Sequence, residues 1–103
     1  SLRWRGVTAP GTTITQYRVF YSLDGQPRVQ WQSFDGTTSS AVFPYLALGL
    51  GDGLYTFEVM AVNSLNQQTN LDSPLLDQAR QSVIVDLAGR IQPGLYMPII
   101  SVQ

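Results

Sequence analysis

The sequence has no cysteine, no histidine and no lysine. Without cysteine the chain can form neither a disulfide nor a thiolate zinc site, and without histidine it lacks the usual base of triad chemistry. These absences exclude most enzyme mechanisms. We therefore expect no catalytic residue, no metal site and no cofactor.

Charged residues are also scarce, at 13% of the chain, which is about half the usual share. The positive charges are all arginines and form no basic run, so no nucleic-acid partner is expected. The carboxylates could in principle supply the acid pair of a glycosidase, but three lie in predicted turns and none cluster in sequence. No D-x-D-x-D calcium loop occurs either. The carboxylates are Asp24, Asp35, Asp52, Glu58, Asp72, Asp77 and Asp86.

Long hydrophobic runs are missing too, since no apolar stretch approaches the ~20 residues that span a bilayer. We therefore predict no membrane span. The chain begins at Ser1 without methionine, as a processed product or an excised segment would. Its polar surface, free of lysine and cysteine, favours an extracellular or cell-surface location.

The strongest pattern in the chain is residues 49–64. Turn residues open it, and Tyr55, Phe57, Val59 and Ala61 then alternate with more polar positions, which is the two-residue period of a strand with one buried face. With 103 residues and 44% apolar side chains, the chain has enough material for one core. We predict one domain with this segment as its central strand.

The segment Leu50-x-Asp-Gly-x-Tyr-x-Phe-x-Val-x-Ala-x-Asn resembles strand F of fibronectin type III and bacterial immunoglobulin-like modules. In those modules a tyrosine just inside the strand hydrogen-bonds back across the corner, which implies this role for Tyr55. The corner is one residue shorter than the type III form and lacks its proline, so it is closer to the bacterial form. The resemblance implies an all-β, immunoglobulin-like (fibronectin type III-like) antiparallel sandwich of about seven strands, with an extra C-terminal strand.

Further strand candidates flank the central one. Residues 1–5, with an inward Trp4, resemble strand B of the same modules, and residues 14–21 resemble strand C. About one turn of helix is predicted over 73–79, and the three Asp-Gly pairs are predicted to form turns with positive φ. The remaining strand candidates are 28–34, 40–46, 81–87 and 95–103.

The tail is unusual because it offers one more strand after the fold should be finished. We place the sandwich at 1–87 and the connector with the C-terminal strand at 88–103. Pro98 to Gln103 resembles strand A, whereas the amino end starts directly at strand B, so the strand order is rotated. A sandwich that begins at strand B leaves one sheet edge bare.

The tail is suited to that edge, either within its own molecule or in the groove of the next one. Alternation predicts two sets of buried side chains: Met97, Ile99 and Ser101, or Tyr96, Pro98, Ile100 and Val102. The predicted self-association strand is therefore Tyr96, Met97, Pro98, Ile99, Ile100, Ser101 and Val102.

The predicted function is that of a non-catalytic extracellular structural subunit. Copies would assemble head to tail into a fibre or surface layer by donating the C-terminal strand. The alternative is an accessory or carbohydrate- or protein-binding module of a larger secreted or surface protein. In that case Trp31, with Phe20, Tyr21 and Tyr45, would offer a sugar-stacking platform, although aromatic side chains in a small sandwich are more often core.

Overall fold

A computed structural model of the chain describes residues 2–44, 47–72, 80–85 and 95–101. These residues form seven strands and no helix, so the fold is all-β. The strands are β1 (Leu2–Val7), β2 (Ile14–Leu23), β3 (Val29–Asp35), β4 (Ser40–Ala41), β5 (Gly53–Asn63), β6 (Arg80–Val85) and β7 (Leu95–Ser101).

The larger sheet has four strands in the order β3-β2-β5-β6, and all its neighbours are antiparallel. Strand β5 lies inside this sheet, as the alternation within residues 49–64 predicts for a central strand. Its eleven residues place Tyr55, Phe57, Val59 and Ala61 on the buried face. On β3, the register shifts beside Trp31, and this bulge turns the indole toward the core rim.

The smaller sheet has three strands in the order β4-β1-β7. Strand β4 pairs with β1 antiparallel through only two residues, whereas β7 pairs with β1 in parallel along its length. The first and last described strands therefore meet in this sheet.

The apolar faces of the two sheets pack against each other, an arrangement consistent with a β-sandwich. Trp4 of β1 lies across the core from β2 and β3, with its ring centroid 5.7 Å from that of Tyr17 and 5.6 Å from that of Phe34. The buried apolar residues of the core cluster are Leu2, Trp4, Tyr17, Val19, Phe43, Tyr55, Phe57, Val59, Ala61, Leu71, Met97 and Ile100.

Three sequence predictions need correction. The strand predicted over 40–46 ends at Ala41, before Pro44, which has no backbone donor for a ladder. The sandwich is not wholly antiparallel, because β7 and β1 run in the same direction. The described residues form seven strands with the tail strand included, whereas the sequence predicts about seven strands and an additional tail strand. The helical turn predicted at 73–79 lies outside the described residues.

The Asp-Gly pairs serve different purposes. Asp24 and Gly25 both have positive φ, at 52° and 77°, and make the tight turn predicted after β2. At Gly36 the reason for glycine is space, because a Cβ there would overlap the carbonyl oxygen of Ile14. The positive φ predicted for all three pairs is therefore wrong at Gly36.

Candidate self-association site

The candidate site is the seam between β1 and the tail strand β7. In the parallel register Leu2 faces Leu95, Arg3 faces Tyr96 and Trp4 faces Met97. The register then shifts, so that Gly6 faces Ile100 and Val7 faces Ser101. This seam brings the tail residues that the sequence singled out onto one edge of the first strand.

Among the tail side chains that the structure describes, two enter the core. Met97 and Ile100 are both fully buried, with 0% of their surface exposed. They come one from each of the two alternating sets that the sequence predicts, because the register shift between them changes which residues face inward. Val102, the last member of the predicted strand, lies outside the described residues.

The tail strand also makes a contact on the outer face of the sheet. Tyr96 is 45% exposed, and the Arg3 guanidinium carbon lies 5.0 Å from the centroid of its ring. A cation over an aromatic face is attracted by the ring quadrupole. The tail is therefore held from inside by two apolar side chains and from outside by one arginine.

Gly6 makes room for a core tyrosine beside the seam. A Cβ on Gly6 would overlap the Tyr17 hydroxyl, so only glycine lets that ring approach β1 so closely. Burial raises the pKa of the Tyr17 phenol, and a hydrogen bond with the Gly6 backbone partly opposes this rise. The phenol is thus a neutral part of the core beneath the seam between β1 and β7.

Strand β6 ends at the end of the sandwich where β5 begins. Val85 of β6 pairs with Gly53, at the end of the sandwich where β5 begins, and Leu23, the last residue of β2, pairs with Tyr55 near the same end. Leu95 faces Leu2 at the start of β1, so β7 and β1 begin side by side and run in the same direction.

Trp31, the residue predicted to stack on sugars, is half-buried, and its ring packs against other aromatic rings. Its centroid lies 5.6 Å from that of Phe34 and 5.1 Å from that of Phe43, both in edge-on geometry. Tyr21 also contacts Phe43, at 5.0 Å between centroids, whereas Tyr45 lies outside the described residues. These rings form a continuous cluster with the core at the β3 side of the sandwich.

Tyr55 sits at the predicted corner. Its hydroxyl donates a hydrogen bond to the carbonyl oxygen of Gly51, four residues upstream, and its ring is fully buried. Burial raises the pKa of Tyr55, with the nearby Asp24 carboxylate adding to the rise. The bond links the loop before β5 to the strand itself.

One ionic cluster escaped the sequence analysis. Arg28 bonds to the buried Glu58 through Nε at 3.0 Å and to Asp72 through Nη1 at 3.2 Å, and it also donates to the Leu71 carbonyl. The hydrogen bond with Glu58 is the main reason that the Arg28 pKa is raised. The partners are 30 and 44 residues from Arg28 in sequence, so no local pattern could reveal them.

Beside this cluster lies a cavity of about 330 Å³, lined by Phe20, Arg28, Met60, Gln68, Thr69, Asn70, Leu71 and Asp72. The Arg28 contacts fasten the 68–72 segment to the β2-β3 hairpin. Within the described residues, no three carboxylate, imidazole or thiol groups gather as a metal site would require. The described residues include no helix that is long and apolar enough to cross a membrane.

Comparison of the chain with protein-family models, with curated proteins and with solved structures gave no match.

Proposed function

We propose that this chain is a non-catalytic structural module with an immunoglobulin-like, fibronectin type III-like fold and a rotated strand order. The order β2-β5-β6 matches the C-F-G order of such sandwiches, with β1 in the place of strand B. The tail strand takes the place of strand A beside β1, although it runs in parallel. The Tyr55 bond at the start of β5 supports the same assignment.

We further propose that copies of the chain assemble head to tail at the cell surface or outside the cell by exchanging β7. The observation that carries this proposal is that a strand from the far end of the chain supplies two fully buried side chains to the edge of β1. Removing it would leave β1 with unpaired backbone groups and an apolar groove, which is an acceptor for another strand. Donation from one copy to the next is heterologous and need not close, so it builds a filament.

The test is the mass of the chain in solution, with and without residues 95–103. We expect the intact chain to form oligomers as its concentration rises, and we expect the truncated chain to be unable to donate. Adding a peptide of residues 95–103 should cap the truncated chain as a one-to-one complex. A stable monomer at high concentration, with a truncation that merely unfolds, would contradict strand donation.

The alternative function, a carbohydrate-binding module, is tested on the same protein. Polysaccharides are titrated while tryptophan fluorescence is followed, with Trp31→Ala as the comparison. A saturable shift that this substitution abolishes would make the binding module the better account.

A further inference from the structure

The pairing between the tail strand and β1 is irregular at one point. On β1 a single residue, Arg5, separates Trp4 from Gly6, whereas their partners Met97 and Ile100 are separated by two, Pro98 and Ile99. The extra residue is absorbed by an irregularity of the β-bulge kind. Proline lacks the backbone N–H that a ladder uses, so within sheets it is confined to edges, strand starts and bulges.

The pairing is regular on both sides of this point. Leu2 to Trp4 face three consecutive tail residues, and Gly6 and Val7 face two more. Met97 and Ile100 are nevertheless both directed into the core and fully buried. Strand β1 therefore spaces its inward positions two residues apart, while the tail spaces its buried side chains three apart.

A regular strand would meet the same two positions without a bulge, because alternate residues of a strand point to the same face. In a tail without Pro98, Met97 would still face Trp4 and Ile100 would still face Gly6, with Ile99 opposite Arg5. The resident tail thus carries one residue more than the groove requires, and that residue cannot donate a backbone hydrogen bond.

We propose that Pro98 holds the tail strand against β1 in a bulged fit that is more readily released than a regular strand would be. The inference rests on the proposed exchange of β7, because the same groove and tail are involved. It names the residue that sets how quickly the tail is released.

The experiment compares three forms of the full chain: the unaltered chain, a variant with Pro98 deleted and a variant with Ile99 deleted. Both deletions give the two-residue spacing, but only the first removes the proline. Hydrogen exchange at the β7 amides that are protected in the unaltered chain reports opening of the tail, and urea unfolding reports the fit of the closed chain. Neither measurement requires association between chains.

Deleting Pro98 should slow exchange at these amides roughly fivefold, the effect of about one net backbone hydrogen bond, and should raise the urea midpoint. Deleting Ile99 should neither slow exchange nor raise the urea midpoint. Pro98 then occupies a position in the regular ladder, where it has no N–H to donate. Faster exchange or a lower midpoint on deleting Pro98 would overturn the inference, and so would equal protection in both deletion variants.

The masses of the same three chains in solution distinguish a failure of this inference from a failure of the proposed function. If none of them associates, strand donation fails, while the order of tail protection still decides whether Pro98 loosens the fit. If they associate, mixing of labelled chains should be slower without Pro98 by a similar factor.

Discussion

The two sheets of this sandwich are built in different ways. The four-stranded sheet consists of antiparallel strands of six to eleven residues, two of its three pairings joining strands that follow each other in the chain. The three-stranded sheet joins the first strand, a two-residue strand and the last strand. Its β1-β7 pairing is parallel, a form slightly less stable per residue than the antiparallel one.

This difference shows where exchange between molecules would cost least. The strands of the larger sheet lie away from the two ends of the sequence, and several of them contribute side chains to the core. Strand β7 lies near the end of the chain and is attached to the sandwich through one neighbour in its own sheet. Substitutions in the two sheets should therefore have separable effects.

The largest effect is expected from truncating the buried part of the tail. Ile100→Ala removes a fully buried side chain and should lower the free energy of unfolding by about 2–5 kcal/mol. The matched control is Val7→Ala on β1, since Val7 is 40% exposed and its loss should change stability by no more than about 0.5 kcal/mol. Urea unfolding of both variants measures this; equal effects would mean that β7 does not complete the core.

A smaller effect is expected from filling the space at Gly6. Gly6→Ala places a methyl group against the Tyr17 hydroxyl and should cost about 1–3 kcal/mol, because a buried ring or β1 itself must shift. Gly51→Ala is the control, since a Cβ there meets nothing within 4 Å. If thermal unfolding shows the same midpoint for the two variants, the close approach of Tyr17 to the small sheet is not required.

In the larger sheet, the hydroxyl of Tyr55 offers a milder test. Tyr55→Phe removes the donor to the Gly51 carbonyl and should cost on the order of 1 kcal/mol. Tyr96→Phe, which removes a hydroxyl from a ring that is 45% exposed on the smaller sheet, is the comparison and should be close to neutral. An unchanged denaturation midpoint for Tyr55→Phe would show that the corner hydrogen bond does not stabilise the fold.

The smallest effect concerns the turn between the sheets. Hydrogen bonds from the Thr37 hydroxyl and amide, and from Thr38, hold the pKa of Asp35 below its usual value. This carboxylate therefore adds stability above its unfolded pKa of about 3.9, and the contribution is lost as pH falls through the lower folded value. Asp35→Asn should flatten the acid side of the profile of urea midpoint against pH, and two profiles of identical shape would contradict this.

Much of the larger sheet could be predicted from sequence because its signals are local. Alternation over Tyr55 to Ala61 defines a buried strand, and Asp24-Gly25 defines a turn, without knowledge of distant residues. The smaller sheet could be predicted only in part. That the tail is a strand follows from its residues, but its parallel pairing with β1 joins residues far apart in sequence, and the burial of both Met97 and Ile100 depends on the register shift beside Pro98.

The ionic cluster shows a second limit. Arg28, Glu58 and Asp72 belong to three separate segments, and each alone reads as an ordinary surface charge. Only the three-dimensional arrangement shows that Glu58 is buried beneath Arg28. Contacts of this range leave no periodic or spacing signal in one sequence.

The central claim, that β7 of one copy can occupy the groove of another, is tested most directly by cross-linking. The chain has no cysteine, and Val7 faces Ser101 across the β1-β7 seam. Chains with Val7→Cys are mixed with chains with Ser101→Cys, unfolded, refolded together at high concentration and gently oxidised. If β7 is exchanged between copies, disulfide-linked heterodimers should form well in excess of either homodimer. Their absence, while a chain carrying both cysteines closes its own disulfide, would show that the tail pairs only within its own molecule.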